Sequence, residues 1–427
     1  MKKIWIINHY ATSMYENQDG RHFCFAKYLK IKNYTPIIIC ASAFHNTKKS
    51  IDTENKRFIT KNFTKDNIDF DFVFIKTPIA IKNGFKRLYN MFIFYFNLIL
   101  VHKKIQEIYG KPDIILASSV HPLTLIAGLK ISKRMNIPCI CEVRDLWPET
   151  LLYANHPFKK FIKYIAWILR KGEYWIYKKA NAIIFTTEGA KNYIIEQRWD
   201  VGNQGKIDMK KVFYINNGVD LQNFSFQSTQ CRSEIAATFK RKYNIIYTGS
   251  IRPANNIEIL VQTADYLKNH EDIEFLIYGE GFQKEDLEKK AKHLNLNNIH
   301  FKGHVNKQEI PFILTNSFIN ILTYVDDTWN FKRGSSSIKL FDYLASGKPI
   351  ISTNKMDYSI IEKWNCGIEI DNATPEKLGD VILNIKNLPE ANYIKLCENA
   401  KNAANEFDFK LLTDKLINVI NYSFEVF

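Results

Sequence analysis

Gly334-Ser-Ser-Ser-Ile-Lys-Leu-Phe-Asp-Tyr-Leu-Ala-Ser-Gly-Lys-Pro-Ile-Ile-Ser352 reads as a helix opened by serines, closed by Gly347 and followed directly by a strand. Lys339 stands in the first turn, and Asp342 lies on the same face three residues on. Serines at that position cap the helix, and its first amides together with Lys339 favour a diphosphate. Asp342 is placed to accept hydrogen bonds from ribose hydroxyls. The plain alternative is a well-capped helix with a surface Lys–Asp pair, and residue type alone does not choose.

The same grammar of strand and then turn recurs upstream. Tyr247-Thr-Gly-Ser-Ile-Arg252 runs from a strand into a glycine turn and an arginine, and Ile277-Tyr-Gly-Glu-Gly281 runs from a strand into Gly-x-Gly. No full GxGxxG is present, which argues against a nicotinamide or flavin enzyme. Further out, strands fit 244–248, 274–278, 299–302, 317–322, 349–352 and 367–370. In the first half they fit 4–7, 35–40, 70–76, 113–118, 138–143, 182–186 and 211–215. Helical stretches separate them, so each half has enough strands for its own doubly wound parallel sheet. The seam falls near Asn216-Asn-Gly-Val-Asp220. Two such sheets facing each other create a cleft at the C-terminal ends of their strands, where ligands of open α/β sheets bind.

The chain has 427 residues, 46% hydrophobic and 24% charged, with 17 Gly and 12 Pro. This excludes disordered, collagenous and linker classes. Seven cysteines, none in a CxxC pair, read as buried free thiols. Four apolar residues after Met1-Lys-Lys are a buried strand, too short for a signal peptide. The net charge is +15 and uneven: residues 1–220 hold 35 Lys and Arg against 18 Asp and Glu, and the rest hold 24 against 26. A basic half beside a neutral half points to an anionic surface or polyanion for that half.

Cys141-Glu-Val-Arg-Asp-Leu-Trp-Pro-Glu149 follows a strand and concentrates Glu142, Arg144, Asp145 and Glu149 at its end, with Trp147 as a flat stacking surface. A structural Arg–Asp pair with a buried Trp is the competing reading. The density of polar groups favours function.

At these residues the chain resembles the family 4 retaining glycosyltransferases of the GT-B fold, over essentially its full length. Within them it is most similar to bacterial surface-polysaccharide sugar transferases bearing a VRDLWPE segment, here Val143–Glu149. The opening strand and loop through Asp19-Gly20, Ser118-Ser-Val-His-Pro122, Asn217-Gly-Val-Asp220, Thr248–Arg252 and Ser336–Pro349 complete the match. The resemblance implies two facing Rossmann-like domains. These are an acceptor-side domain over 1–218 and a nucleotide-sugar-binding domain over 219–405, with a helix over 406–427 that returns to the first domain. It implies donor binding by Gly20, Gly249, Arg252, Gly279, Ser336, Ser337, Lys339, Leu340 and Asp342. Arg252 and Lys339 would lie on the diphosphate and Asp342 on the ribose. Arg144, Asp145 and His121 would stand near the reacting sugar, His121 being equally readable as a structural residue. The chain departs from the family at Gly334, where many members carry a glutamate that contacts the donor sugar. It departs again at Ala254-Asn-Asn256, where many carry a lysine.

The activity implied is transfer of a hexose or hexosamine from a nucleoside-diphosphate sugar to a lipid-linked glycan in surface polysaccharide assembly, with retention. No cofactor is expected. Asp69-Phe-Asp71 reads as a strand with exposed carboxylates and Asp326-Asp327 lacks ligand spacing, so arginine, lysine and helix amides would replace a metal. Two basic aromatic segments, 85–104 and 158–171, carry much of the charge excess. In the second, Phe158, Phe161, Ile162, Ile165, Ile168 and Leu169 form a stripe opposite Lys159, Lys160, Lys163, Arg170 and Lys171. They read either as core helices with solvated faces or as docking elements for an anionic cytoplasmic leaflet. The expectation is a cytoplasmic protein peripheral to the inner face of the membrane, without nucleic acid. The rivals are a nucleotide-sugar 2-epimerase and a catalytically silent sugar-nucleotide-binding or membrane scaffold protein.

Overall fold

The chain divides into two units, Met1–Asn216 with Leu412–Phe427, and Asn217–Leu411. The computed structural model describes every residue except 66, 82–83, 120, 150–158, 231–232, 240–242 and 326–331, and the side chains of 159–163 and 233 are likewise outside it. The expected stripe over 158–163 and the Asp326-Asp327 pair therefore lie outside the described residues.

The first unit is built on an eight-stranded sheet: β1 (Lys3–Asn8), β2 (Thr35–Ala41), β3 (Phe58–Lys65), β4 (Ile68–Ile75), β5 (Ile114–Ser119), β6 (Cys139–Val143), β7 (Ala182–Phe185) and β8 (Val212–Tyr214). Their order is β3-β4-β2-β1-β5-β6-β7-β8. Ile4 to Ile7 are buried on both faces, as parallel strands covered by helices require. Ile6 lies beside Ile38 and Leu116. Helices α1 (Arg21–Ile31), α2 (Phe85–Tyr109), α3 (Pro122–Met135) and α4 (Lys159–Lys179) belong to this unit. The helix Phe409–Glu425 packs there too: Lys32 pairs with Asp414, and Tyr422 meets Phe213 edge-on at 5.2 Å.

One strand departs from the sequence pattern. The spacing predicts parallel sheets and no strand at 58–65, yet β3 pairs antiparallel with β4 through a turn at Asn67, whose φ is +62°. FITKNFTK buries only Phe63 and exposes Lys61 and Lys65, the composition of an edge strand protected by charge.

The second unit holds β9 (Tyr243–Thr248), β10 (Ile273–Tyr278), β11 (Ile299–Gly303), β12 (Ile319–Leu322), β13 (Ile350–Ser352) and β14 (Gly367–Glu369). All are parallel, in the order β11-β10-β9-β12-β13-β14. Alternation distributes the core. Ile245, Ile277 and Ile351 face helices α5 (Glu258–Tyr266) and α7 (Pro375–Lys386), while Ile246, Leu276 and Ile350 face α6 (Ile338–Ser346) and α8 (Glu390–Glu406). The six cysteines among the described residues are free thiols, five of them buried.

Inside the first unit, one buried charge network ties its elements together. Arg21 donates Nε–H to Glu142 Oε1 at 2.8 Å and reaches the carbonyls of Ile215 and Asn216 beyond β8. The other Glu142 oxygen receives Ser118 Oγ at 2.6 Å and lies 2.9 Å from His22 Nε2. Asn8 in turn donates to Ser118 at 3.1 Å. Burial alone would raise the Glu142 pKa, but Arg21 and His22 override it and hold the carboxyl well below its ordinary 4.5. A lowered carboxyl pKa stabilises the fold above the unfolded value and loses that contribution as pH falls through the folded value. Glu142→Gln should therefore cost about 3–5 kcal/mol at neutral pH. In denaturant unfolding of the full chain, that gap should shrink as pH falls below 4.5. Equal stability of mutant and wild type at neutral pH would show that the pair does not hold the unit.

Candidate active-site residues at the two switch points

In a doubly wound sheet the strand order reverses beside the first strand, and the loops on either side of that point part to leave a crevice at the carboxyl ends. The reversal lies between β1 and β5 in the first unit and between β9 and β12 in the second. Both points carry the polar groups that stand out.

In the first unit, His9 follows β1 and His121 follows β5. Both are about 1% exposed, and His9 Nδ1 lies 2.6 Å from His121 Nε2. His9 stacks on Phe94 of α2 at 4.4 Å between centroids. Burial, reinforced by Arg87, pushes His121 down to about 3. Burial and then His121 hold His9 well below 6.5. Two neutral imidazoles thus share one hydrogen bond, Asn90 is a further side-chain partner of His9, and among the described residues His121 Nδ1 is buried with no hydrogen-bond partner. Arg87, from the first turn of α2, donates Nε–H to Tyr10 Oη at 3.1 Å. Of these groups the sequence motifs pointed only to His121. His9 lies in the loop after the first strand and Arg87 in the basic 85–104 segment, and the sequence reading assigned neither of them a role in chemistry.

The Cys141–Glu149 stretch divides by role, which corrects the expectation that its four charged residues converge on substrate. Glu142 is consumed by Arg21 and His22. Glu149 is buried and receives Arg170 Nε–H at 3.0 Å and Tyr193 Oη at 3.3 Å. Two buried carboxylates at a strand end need cations, and the fold supplies them. Arg144 and Asp145 remain toward solvent: the Arg144 N–H donates to Ser119 Oγ at 3.1 Å, and Asp145 is exposed. Surrounding protein atoms still raise the Asp145 carboxyl, opposed by Arg144 and Arg87. Trp147 lines a small pocket with Leu169 and Ile176 of α4. Gly20 precedes Arg21 at the head of α1. Asp69 and Asp71 lie on β4, engaged by Lys30 at 3.1 Å and Asn62 at 3.1 Å.

In the second unit, Lys339 in the first turn of α6 reaches back between two aromatic rings. Its Nζ is 3.3 Å from Tyr247 Oη and lies 4.8 Å and 4.6 Å from the ring centroids of Tyr247 and Tyr324. Tyr247 comes from β9 and Tyr324 from the loop after β12, so the ammonium straddles the switch point. Burial lowers Lys339 from 10.5 to about 7. The serines do not cap α6 as expected. Ser337 holds the N-cap position but makes no cap bond, its Oγ instead meeting Tyr324 Oη. The side chain is drawn away by the tyrosine. The Ser336 carbonyl accepts from Asn217. Asp342 is partly buried on α6, Arg252 is exposed, and the Leu340 side chain is buried in the core, leaving only its backbone for a ligand.

The glycines permit close backbone approach. A Cβ on Gly279 would stand 1.8 Å from the Gly249 carbonyl oxygen, and one on Gly249 would stand 3.1 Å from Lys339 Cδ. Gly334 has φ +86°, a left-handed turn that disfavours the glutamate many family members carry there. Among the described residues, no three His, Cys, Asp or Glu side chains come together as a metal site.

Residues 26–223 match the model of Glycosyltransferase Family 4, and residues 232–407 match that of Glycosyl transferases group 1. Sucrose-phosphate synthase from Thermosynechococcus elongatus superposes over 100% of both chains with TM-score 0.71 at 13% identity. HepE of Anabaena, solved with UDP and glucose, superposes over 99% of this chain and 100% of its own with TM-score 0.62 at 12% identity. The chain has the two-domain GT-B glycosyltransferase fold. Among curated proteins it is 22% identical over 224 residues to TuaH of Bacillus subtilis strain 168, described as a putative teichuronic acid biosynthesis glycosyltransferase. That match spans about half of each chain.

On this GT-B scaffold, Lys339 is a partly buried cation whose shift comes from desolvation alone. Its side chain should release a proton near pH 7 in a carbon-13 NMR titration, and pyrophosphate should move the midpoint upward. A midpoint near 10.5 without ligand would show that the site is open to water.

Proposed function

We propose that the chain is a retaining glycosyltransferase that moves a hexose or hexosamine from a nucleoside-diphosphate sugar to a lipid-linked glycan acceptor of surface polysaccharide assembly. The observation that carries this reading is Lys339: a cation held among tyrosines, beside glycine turns and a helix start, in a place where burial disfavours its charge. A diphosphate would restore that charge and accept hydrogen bonds from the neighbouring amides. Arg252, on the turn after β9, would close over the same group. Asp342 would take the ribose, and Gly20 would approach the donor phosphates and sugar. As the glycosidic bond breaks and the sugar gains oxocarbenium character, negative charge builds on the leaving diphosphate, where these donors are already aimed. His121, Arg144 and Asp145 would stand on the sugar and acceptor side. Neutral His121 can exchange hydrogen bonds with sugar hydroxyls without placing a positive charge beside the developing cation.

The UDP and UDP-glucose complexes of HepE support a nucleotide-sugar donor. The likeness to TuaH supports a polysaccharide product. The family models and this relative are transferases, so neither the epimerase nor the silent scaffold is favoured. No helix among the described residues is long and apolar enough to cross a membrane. The basic first unit accordingly suits attachment to the inner membrane surface, where a lipid-linked acceptor presents its sugar.

Lys339→Ala should weaken nucleoside-diphosphate binding by ~1.5–3 kcal/mol in calorimetry. Arg252→Ala should act in the same direction, and the double mutant less than additively. Because the bound anion favours the ammonium form, binding should take up a proton above pH 7, so affinity should fall as pH rises past that value. Lys339→Ala should lose this dependence. Unchanged affinity in both single mutants would place the nucleotide elsewhere. Transfer should also persist in EDTA, and loss of it restored by magnesium or manganese would contradict the assigned electrostatics.

A further inference from the structure

Helix α2 is apolar on two faces. Its inner face, Met91, Phe94, Leu98, Val101 and Ile105, is buried in the first unit. Its outer face carries a second row, Phe85, Tyr89, Phe92, Phe96, Leu100 and Ile108, each between 40% and 91% exposed. A surface helix of a water-soluble unit needs one apolar face, so a second one calls for an apolar medium or a partner. The row runs along a helix of about 37 Å, and Lys104 falls in the same row between Leu100 and Ile108. There it enters an open groove of about 700 Å³ between α2 and the edge strand β3. Phe58, Ile59, Leu100 and Ile108 form the groove's apolar walls, and Lys56, Arg57, Lys61 and Lys104 its basic ones. Glu54 is the acidic lining residue, and Lys56 neutralises it at 2.7 Å. Arg57, Lys61 and Lys104 remain as three exposed cations beside apolar side chains. That pairing matches an anionic amphiphile: phosphate to the cations, acyl chain to the walls.

We infer that the groove between α2 and β3 seats the headgroup of an anionic phospholipid in the bilayer, while the outer row of α2 enters the interface beside it. This rests on the membrane-surface reading above and gives it an address. It also accounts for Lys61 of β3, which guards a sheet edge and at the same time lines the groove. Attachment at a built groove should be selective for lipid charge, whereas a diffuse basic surface would respond equally to charge removed anywhere on the unit.

The test is co-sedimentation of the full chain with vesicles of phosphatidylcholine alone and of phosphatidylcholine mixed with phosphatidylglycerol. Wild type should prefer the mixed vesicles. Arg57→Glu/Lys61→Glu/Lys104→Glu should bind them roughly tenfold or more weakly, down to the level seen with phosphatidylcholine. Lys171→Glu, exposed on α4, should change binding far less. Phe92→Ser/Phe96→Ser should weaken binding to both vesicle types, and all variants should melt like wild type. If the triple variant binds mixed vesicles as wild type does, the groove is idle and attachment is diffuse. If wild type binds neither vesicle, the membrane reading falls together with the groove. A concentration-dependent dimer that Phe92→Ser/Phe96→Ser abolishes would make the outer row a face for a second copy and overturn the assignment.

Discussion

Arg21 is buried with its charge intact, and the buried polar groups at the ends of β1, β5, β6 and β8 are arranged around that fact. Taking a guanidinium out of water costs several kcal/mol unless its donors are filled. They are filled from two directions, by the Glu142 carboxylate on β6 and by the carbonyls of Ile215 and Asn216 beyond β8. One side chain at the head of α1 therefore fixes the carboxyl ends of strands far apart in sequence. Through Ser118 and Asn8 the network extends to β5 and β1, the two strands that bound the switch point. His9 and His121 follow those strands directly, so their 2.6 Å contact is held from beneath by a charge pair that itself touches nothing outside the fold.

The second unit solves the same topological problem with the opposite electrostatics. At its switch point the described residues show a lysine between tyrosine rings, lowered to about 7 by burial, in place of a compensated pair. The rings supply a face for the cation and Tyr247 a hydroxyl, but no full counter-charge. One unit thus carries two histidines held neutral, and the other a cation poised to be charged by what it binds. Sites built for anions commonly tolerate such ground-state strain in the empty form.

Much of the fold could be read from residue pattern, because parallel strands buried on both faces leave unbroken runs such as Ile4–Ile7 and Ile37–Ile39. β3 could not: FITKNFTK has one buried side chain, and its pairing is set by the turn at Asn67 rather than by its own hydrophobicity. The second unit's residues were legible where they have local causes. Gly279 is forced by the Gly249 carbonyl, and Lys339 stands out as a cation in the first turn of a helix, where the dipole disfavours one. The first unit's residues were legible only in part. Cys141–Glu149 announced a dense polar strand end, yet nothing local distinguishes Glu142 and Glu149, which answer arginines, from Asp145, which faces solvent. Their partners, Arg21 and Arg170, lie 121 and 21 residues away. His9 and Arg87 acquire meaning only once β1, β5 and α2 are brought together. The serines before α6 show the reverse error, since good capping residues were recruited by a tyrosine.

The central claim is that these two polar centres belong to an enzyme transferring sugar from a nucleoside diphosphate. Incubating the purified full chain with membranes and single nucleotide sugars, and analysing the extracted lipids by mass spectrometry and NMR, tests it most directly. The account predicts that one nucleotide sugar yields its nucleoside diphosphate together with a lipid-linked glycan heavier by one sugar residue, joined with the donor's anomeric configuration. Release of no nucleoside diphosphate from any donor in the panel, or an inverted linkage in the product, would contradict it.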